Sequence, residues 1–154
     1  MSVLEYTYNE IHNIIKNKSK YIIDKFNPEI MIAISDGGLI PARILRTYIN
    51  IPIYTVSVKY YKGHNIMDTP QIIHWIHHNL SNKRVLIVDE IDDTGSTIHF
   101  CKNNLEKINK CNNIGAFVVH YKQKEKFFEN DNNENYFVGQ YVPDKWILYP
   151  WDKV

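Results

Sequence analysis

Hydrophobic positions along the chain switch repeatedly between helical spacing and short unbroken runs. Ile11, Ile14, Ile15, Ile22 and Phe26 recur at helical spacing and predict an amphipathic helix over about residues 9–26. Ile30-Met-Ile-Ala-Ile34 is an apolar run closed by Ser35-Asp-Gly-Gly38, the pattern of a short strand buried on both faces. Leu39–Tyr48 predicts a helix with Pro41 in its first turn, where proline is tolerated. Ile53–Val58 predicts a second core strand, 59–70 a polar aromatic loop, and Thr69-Pro70 the start of a helix running to about Leu80. A strand over 84–89, a helix over 96–109 and a strand from Ile114 to His120 follow, and the Asn-rich stretch Glu129–Asn135 reads as a surface loop. Strands alternating with helices predict an α/β domain with a central, mostly parallel sheet flanked by helices. Ligands of such open sheets sit beyond the carboxyl ends of the strands, which here are residues 35–38, 59–62 and 89–97.

Composition narrows the class. A chain of 154 residues with 44% hydrophobic and 23% charged residues fits one domain, 1–154, with a proper core. Lys and Arg number 18 against 17 Asp and Glu, so no global positive field points to nucleic acid. No apolar run approaches membrane-spanning length, and the first residues lack a signal-type core, so no membrane partner is expected. Cys101 and Cys111 fit no metal or redox spacing, and the expected setting is reducing and cytoplasmic. His74, His77 and His78 would share one face of the helix expected there. Without an H-E-x-x-H pattern or a third ligand set, a solvated or interface helix is the expectation.

The chemistry concentrates in Val85-Leu-Ile-Val-Asp-Glu-Ile-Asp-Asp-Thr-Gly-Ser-Thr97. A buried strand runs into Asp89, Glu90, Asp92 and Asp93, then into Thr94, Gly95, Ser96 and Thr97 at a helix start. Backbone N–H groups and hydroxyls at a helix start cradle a phosphate. Carboxylates just before them suit ribose hydroxyls or a divalent metal. A buried strand and a capped helix alone leave four acids crowded into five positions without a purpose, since like charges that close repel. A D-x-D-x-T phosphatase is excluded because Ile91 stands two residues after Asp89, and no P-loop occurs.

This segment resembles the signature of the type I phosphoribosyltransferases: a hydrophobic strand, two acids, and a D-T-G-x-T turn. The resemblance implies that Asp93–Thr97 bind the 5-phosphate of phosphoribosyl pyrophosphate (PRPP). It also implies that Asp89 and Glu90 face the ribose hydroxyls and a Mg²⁺ ion, and that Asp93 exchanges a proton with the purine N7. Ser35, Asp36, Gly37 and Gly38, followed by Leu-Ile-Pro-Ala-Arg-Ile-Leu45, are similar to the family's pyrophosphate loop, where a cis peptide would join Ser35 to Asp36. Asp36 departs from the basic residue or glycine common there, and an acid beside pyrophosphate repels it unless Mg²⁺ lies between. Tyr60–Asp68 matches a mobile loop, with Tyr60 at its base, that closes over the reaction centre.

Tyr141–Asp152 holds two prolines and two tryptophans, so it reads as an aromatic packing strap and not as an ordinary strand. It also resembles the V-P-x-x-W-x-x-x-P-W hood of the xanthine-guanine and fungal hypoxanthine-guanine enzymes. That likeness gives a base-binding hood over about 120–154, with Trp146 stacking on the purine, Ile147 beside it, and Lys122 donating to the 6-oxo group. The implied activity is purine salvage, transferring phosphoribose from PRPP to guanine, hypoxanthine or xanthine to give a nucleoside monophosphate and pyrophosphate. A homodimer or homotetramer is implied. Two other classes remain open on the residues alone. One is a catalytically weak regulatory protein that binds PRPP or a nucleotide, to which Asp36 points. The other is a pyrimidine-type transferase, against which Lys122 and Trp146 argue.

Overall fold

The computed structural model describes residues 2–61 and 69–154. In chain order the elements are β1 (Val3–Glu5), α1 (Tyr8–Lys25), β2 (Ile30–Ser35), α2 (Leu39–Tyr48), β3 (Ile53–Tyr61) and β4 (Thr69–His74). They continue with β5 (Arg84–Asp92), α3 (Ser96–Asn109), β6 (Asn113–Gln123), β7 (Tyr136–Pro143) and β8 (Trp146–Leu148). Short 3₁₀ turns stand at Asn130–Asn132 and Pro150–Asp152. A six-stranded sheet runs β4-β3-β2-β5-β6-β7, parallel except for β4. The mostly parallel α/β expectation is borne out.

The unbroken apolar runs follow from burial on both faces. Along β2, Ile30, Ile32 and Ile34 join the core of Ile98, Cys101 and Leu105 from α3. Met31 and Ala33 point the other way, into the core with Ile11 and Ile15 of α1 and Ala42 and Leu45 of α2. Helix α1 begins at a capping box in which Thr7 Oγ1 accepts from the Glu10 amide at 3.1 Å. From β2 the chain passes through α2 to β3 on one side, then resumes on the other side of β2 as β5. The β2/β5 pair is therefore the switch point, and its carboxyl ends open the crevice where such sheets bind ligands.

Three local expectations are corrected. No helix spans 70–80. Thr69–His74 is an edge strand antiparallel to β3, with Pro70 opposite Tyr60. Proline is tolerated at an edge because the ladder there needs no donor from it, and Ile72 and Ile73 favour extended backbone. The helix-like spacing of Trp75, Ile76 and Leu80 belongs to an irregular segment. Buried Asn109 holds it, accepting from Trp75 Nε1 at 2.8 Å and donating to the carbonyls of Ile76 and His78. The three histidines consequently share no helical face. His74 pairs with Ser57 on β3, and His78 stacks on Tyr54 at 4.6 Å.

The polar loop expected over 59–70 is shorter, since β3 runs to Tyr61 and β4 begins at Thr69. Residues 62–68 of the loop expected to close over the reaction centre lie outside those described. Finally, the aromatic strap contains strand. Tyr141–Pro143 completes edge strand β7, and Trp146–Leu148 pairs with β1. Both prolines fall at element ends, Pro143 closing β7 and Pro150 opening a 3₁₀ turn, so neither interrupts a ladder.

Candidate active site

Beyond the ends of β2 and β5 lies a cavity of about 410 Å³. Its lining brings together Ser35, Asp36, Gly37, Tyr60, Asp89, Glu90 and the run Asp92–Thr97, with Ile34, Val58, Ile91, Ile98 and Phe127 completing the wall. Of the residues expected to meet PRPP, Gly38 alone stands back. It is buried at the N-terminus of α2, where a Cβ would sit 2.3 Å from the Val88 carbonyl oxygen. The Ser35–Asp36 peptide is cis, as the resemblance implied. Gly37 makes room for an acid, since a Cβ there would meet Glu90 Oε1 at 2.2 Å.

The turn after β5 leads directly into α3. Gly95 is left-handed at φ 82°, and no side chain caps α3 from that position. The Ser96 amide at the start of the helix donates to Thr94 Oγ1 at 3.4 Å, and Thr94, Ser96 and Thr97 line the cavity beside it. Phe127 and Phe128 donate their amides to the Thr94 carbonyl, which ties the turn to the segment after β6. Gly95→Ala would place a Cβ 1.9 Å from the Phe128 carbonyl oxygen, on backbone that side chains rarely adopt. We expect it to destabilise the fold by about 1–3 kcal/mol, read from urea denaturation. Unchanged stability would mean the turn has another conformation.

The four acids separate into distinct environments. Asp89 is buried and accepts the Glu90 amide at 2.8 Å. Burial first, then the neighbouring Glu90 charge, pushes its carboxyl well above the usual range. Glu90 is raised by burial and by Asp152 and Asp36, while Trp151 Nε1, donating to its Oε2 at 3.2 Å, pulls the other way. Asp92 lines the cavity, but its carboxylate meets Lys126 Nζ at 3.1 Å and the Tyr136 hydroxyl. Lys126 also donates to the carbonyls of Asp92 and Asp93, at 2.8 and 2.7 Å. Asp92 thus anchors the turn from within. Asp93 is half exposed and engages Lys124 at 2.9 Å and Lys122 at 3.9 Å.

The residues expected to meet the base lie outside this cavity. Lys122 is buried and connects to it through Asp93. Trp146 on β8 is 66% exposed, so its indole face is open for stacking, whereas Ile147 is packed in the core. Behind the site, Tyr149 donates to the Glu90 carbonyl at 3.3 Å and meets His120 Nδ1 at 2.8 Å. Phe127, Lys124, Lys126, Asn130, Tyr149 and Trp151 escaped the reading of the sequence. The one visible signal was the alternation Lys122, Lys124, Lys126, which puts three ammonium groups on one side of an extended chain.

Burial pushes the His120 pKa down from 6.5 to about 4, against a smaller opposing pull from Gln140. Between those values the unfolded chain takes up a proton that the folded chain refuses. This contribution to stability is complete above pH 6.5 and is lost as pH falls toward 4. The stability advantage over a His120→Phe variant should shrink across that window by up to about 3 kcal/mol, followed by denaturation at stepped pH. A constant difference would exclude a buried neutral imidazole.

The phosphoribosyl transferase domain model matches residues 5–152. The chain belongs to the phosphoribosyltransferase family. The hypoxanthine-guanine phosphoribosyltransferase of Schizosaccharomyces pombe is 36% identical over 183 residues, covering 97% of this chain and 88% of that one. Xanthine phosphoribosyltransferase 1 of Saccharomyces cerevisiae is 34% identical, covering 95% and 88%. A crystal structure of a Neisseria gonorrhoeae protein with bound ppGpp superposes with a TM-score of 0.89 and 38% identity, covering 99% of this chain and 90% of that chain. In this phosphoribosyltransferase the signature turn, the two acids before it and the cis-peptide loop converge on one crevice. No described helix is long and apolar enough to cross a membrane.

Proposed function

We propose that the protein transfers the phosphoribosyl group of PRPP to a 6-oxopurine, giving a nucleoside monophosphate and pyrophosphate. One observation carries this reading: the turn Asp93–Thr97, the paired acids Asp89 and Glu90 and the loop Ser35–Gly37 line the same cavity. The names of the fungal relatives support a guanine, hypoxanthine or xanthine acceptor. The ppGpp held by the Neisseria protein supports a site that accepts a guanine nucleotide. The names of the relatives favour a glycosyltransferase of purine salvage over a purely regulatory binding protein.

The bond from the anomeric carbon of PRPP to pyrophosphate breaks ahead of the new bond from that carbon to the purine N9. Pyrophosphate leaves with the electron pair, and the proton on N7 passes to the Asp93 carboxylate. Thr94–Thr97 and the amides of α3 hold the 5-phosphate, and the loop Ser35–Gly37 holds the leaving group. Positioning and charge stabilisation supply most of the acceleration, because the sugar becomes cationic before the base bonds. The donor set fits Mg²⁺. Asp89 and Glu90 are adjacent hard oxygen ligands whose carboxyls are raised partly by like charge, which a cation relieves. Mg²⁺ is commonly held by one or two carboxylates with substrate phosphates completing its shell. When bound, it supplies charge neutralisation for pyrophosphate, including beside Asp36. The cytoplasmic assignment draws support from Cys101 and Cys111, both buried and free.

The test is pyrophosphate release from PRPP with a panel of purine and pyrimidine bases. Release with a 6-oxopurine is expected. Release only with a pyrimidine, or with no base at all, would overturn the assignment.

A further inference from the structure

The carboxylate assigned to proton transfer is held by a network that spans the hood. Lys124 Nζ donates to Asp93 Oδ1 at 2.9 Å, and Lys122 Nζ stands 3.9 Å from the same oxygen. Asp144 Oδ1 lies 3.5 Å from Lys124 Nζ and 4.0 Å from Lys122 Nζ. Two cations are interleaved with two carboxylates, so the cluster is neutral. Its members come from the turn after β5, the end of β6 and its extension, and the turn between β7 and β8. Lys126 faces the same turn but is spent on Asp92 and on the Asp93 carbonyl.

The two lysines differ in what they can do. Lys124 makes a true hydrogen bond to Asp93, whereas 3.9 Å is beyond that range and leaves the Lys122 ammonium for another acceptor. The Lys124 pKa is raised, chiefly by its bond to Asp93. Both lysine contacts fall on Oδ1, so Oδ2 is the edge the carboxylate can turn to a ring nitrogen. Asp144 stands two residues before the exposed Trp146.

Resting on the proposed transfer to a purine, we propose that Lys124 is a positioning residue that fixes the Asp93 carboxylate with Oδ2 toward the base. Asp144 holds Lys124 in turn, and so ties the proton-transferring group to the hood turn that carries Trp146. Base docking and carboxylate alignment are thereby one event. The consequence is kinetic, because a small misplacement of a reacting group costs far more in turnover than in binding.

The experiment is steady-state kinetics of the full chain with PRPP and its best 6-oxopurine, for Lys124→Met, Lys124→Arg and Asp144→Asn. Lys124→Met and Asp93→Asn are also combined. We expect Lys124→Met to lower kcat about 10–100-fold while KM for PRPP is unchanged, and Lys124→Arg to recover most of it. Asp144→Asn should lower kcat less, with no further loss in the Lys124→Met background. In the Asp93→Asn background, Lys124→Met should change nothing, since it acts through that carboxylate. A loss that persists there, or an equal kcat in Lys124→Met and the unsubstituted protein, overturns the inference alone. Asp144→Asn carries the same comparison in the Asp93→Asn background if Lys124→Met does not fold. Absence of turnover in the unsubstituted protein overturns the proposed function and this inference together.

Discussion

Replacing Asp93 by Asn is expected to slow turnover about 10²–10⁴-fold while PRPP still binds, the scale of a general acid–base group. The geometry separates this acid from its three neighbours. Asp92 is consumed by Lys126 and Tyr136, Asp89 is turned onto the Glu90 amide, and Glu90 is held by Trp151. Asp93 alone is half exposed and anchored on one oxygen by Lys124, so its second oxygen can address a ring nitrogen. The amide of Asn keeps the shape and cannot take the proton. PRPP binding should survive because the proposed cradle consists of backbone amides and the hydroxyls of Thr94, Ser96 and Thr97. Titration of PRPP into the variant, beside its kcat, separates the two effects. Unchanged turnover would remove Asp93 from its role, and lost PRPP binding would mean the substitution disturbed the cradle itself.

Adenine should be refused relative to guanine, hypoxanthine or xanthine by about 10⁴-fold in kcat/KM, because a site built around a hydrogen bond rejects a partner that leaves its polar group unpaired. Lys122 is the group proposed to discriminate. It is buried, it sits too far from both Asp93 and Asp144 to be hydrogen-bonded to either, and an ammonium only donates. A 6-oxo group accepts from it, whereas the 6-amino group of adenine presents a second donor. Lys122→Ala should therefore narrow the gap between the two classes. Trp146→Ala should weaken all bases together by about 1–3 kcal/mol, since every base has a face to stack on the exposed indole. Competition binding with the four bases on both variants decides this. Equal affinity for adenine and guanine in the unsubstituted protein would exclude a 6-oxopurine site.

The sequence by itself determined the parallel core and the turn proposed to hold phosphate, because both are local. Apolar runs such as Ile30–Ile34 and Val85–Val88 are buried on both faces, and the cradle proposed for Asp93–Thr97 would consist of consecutive backbone amides. It misassigned Thr69–Leu80, where Trp75, Ile76 and Leu80 imitate helical spacing. Pairing of β4 with β3, and Asn109 reaching across from α3, outweigh that local pattern. Only the tertiary structure divided the four acids by environment. Their order in the chain is the same whichever one faces solvent, and the partners that decide it are Lys124, Lys126, Tyr136 and Trp151. Those residues arrive from the extension of β6, from β7 and from the last 3₁₀ turn. Burial and ion pairing are set by distance through space, and parallel strands bring together residues that lie far apart along the chain.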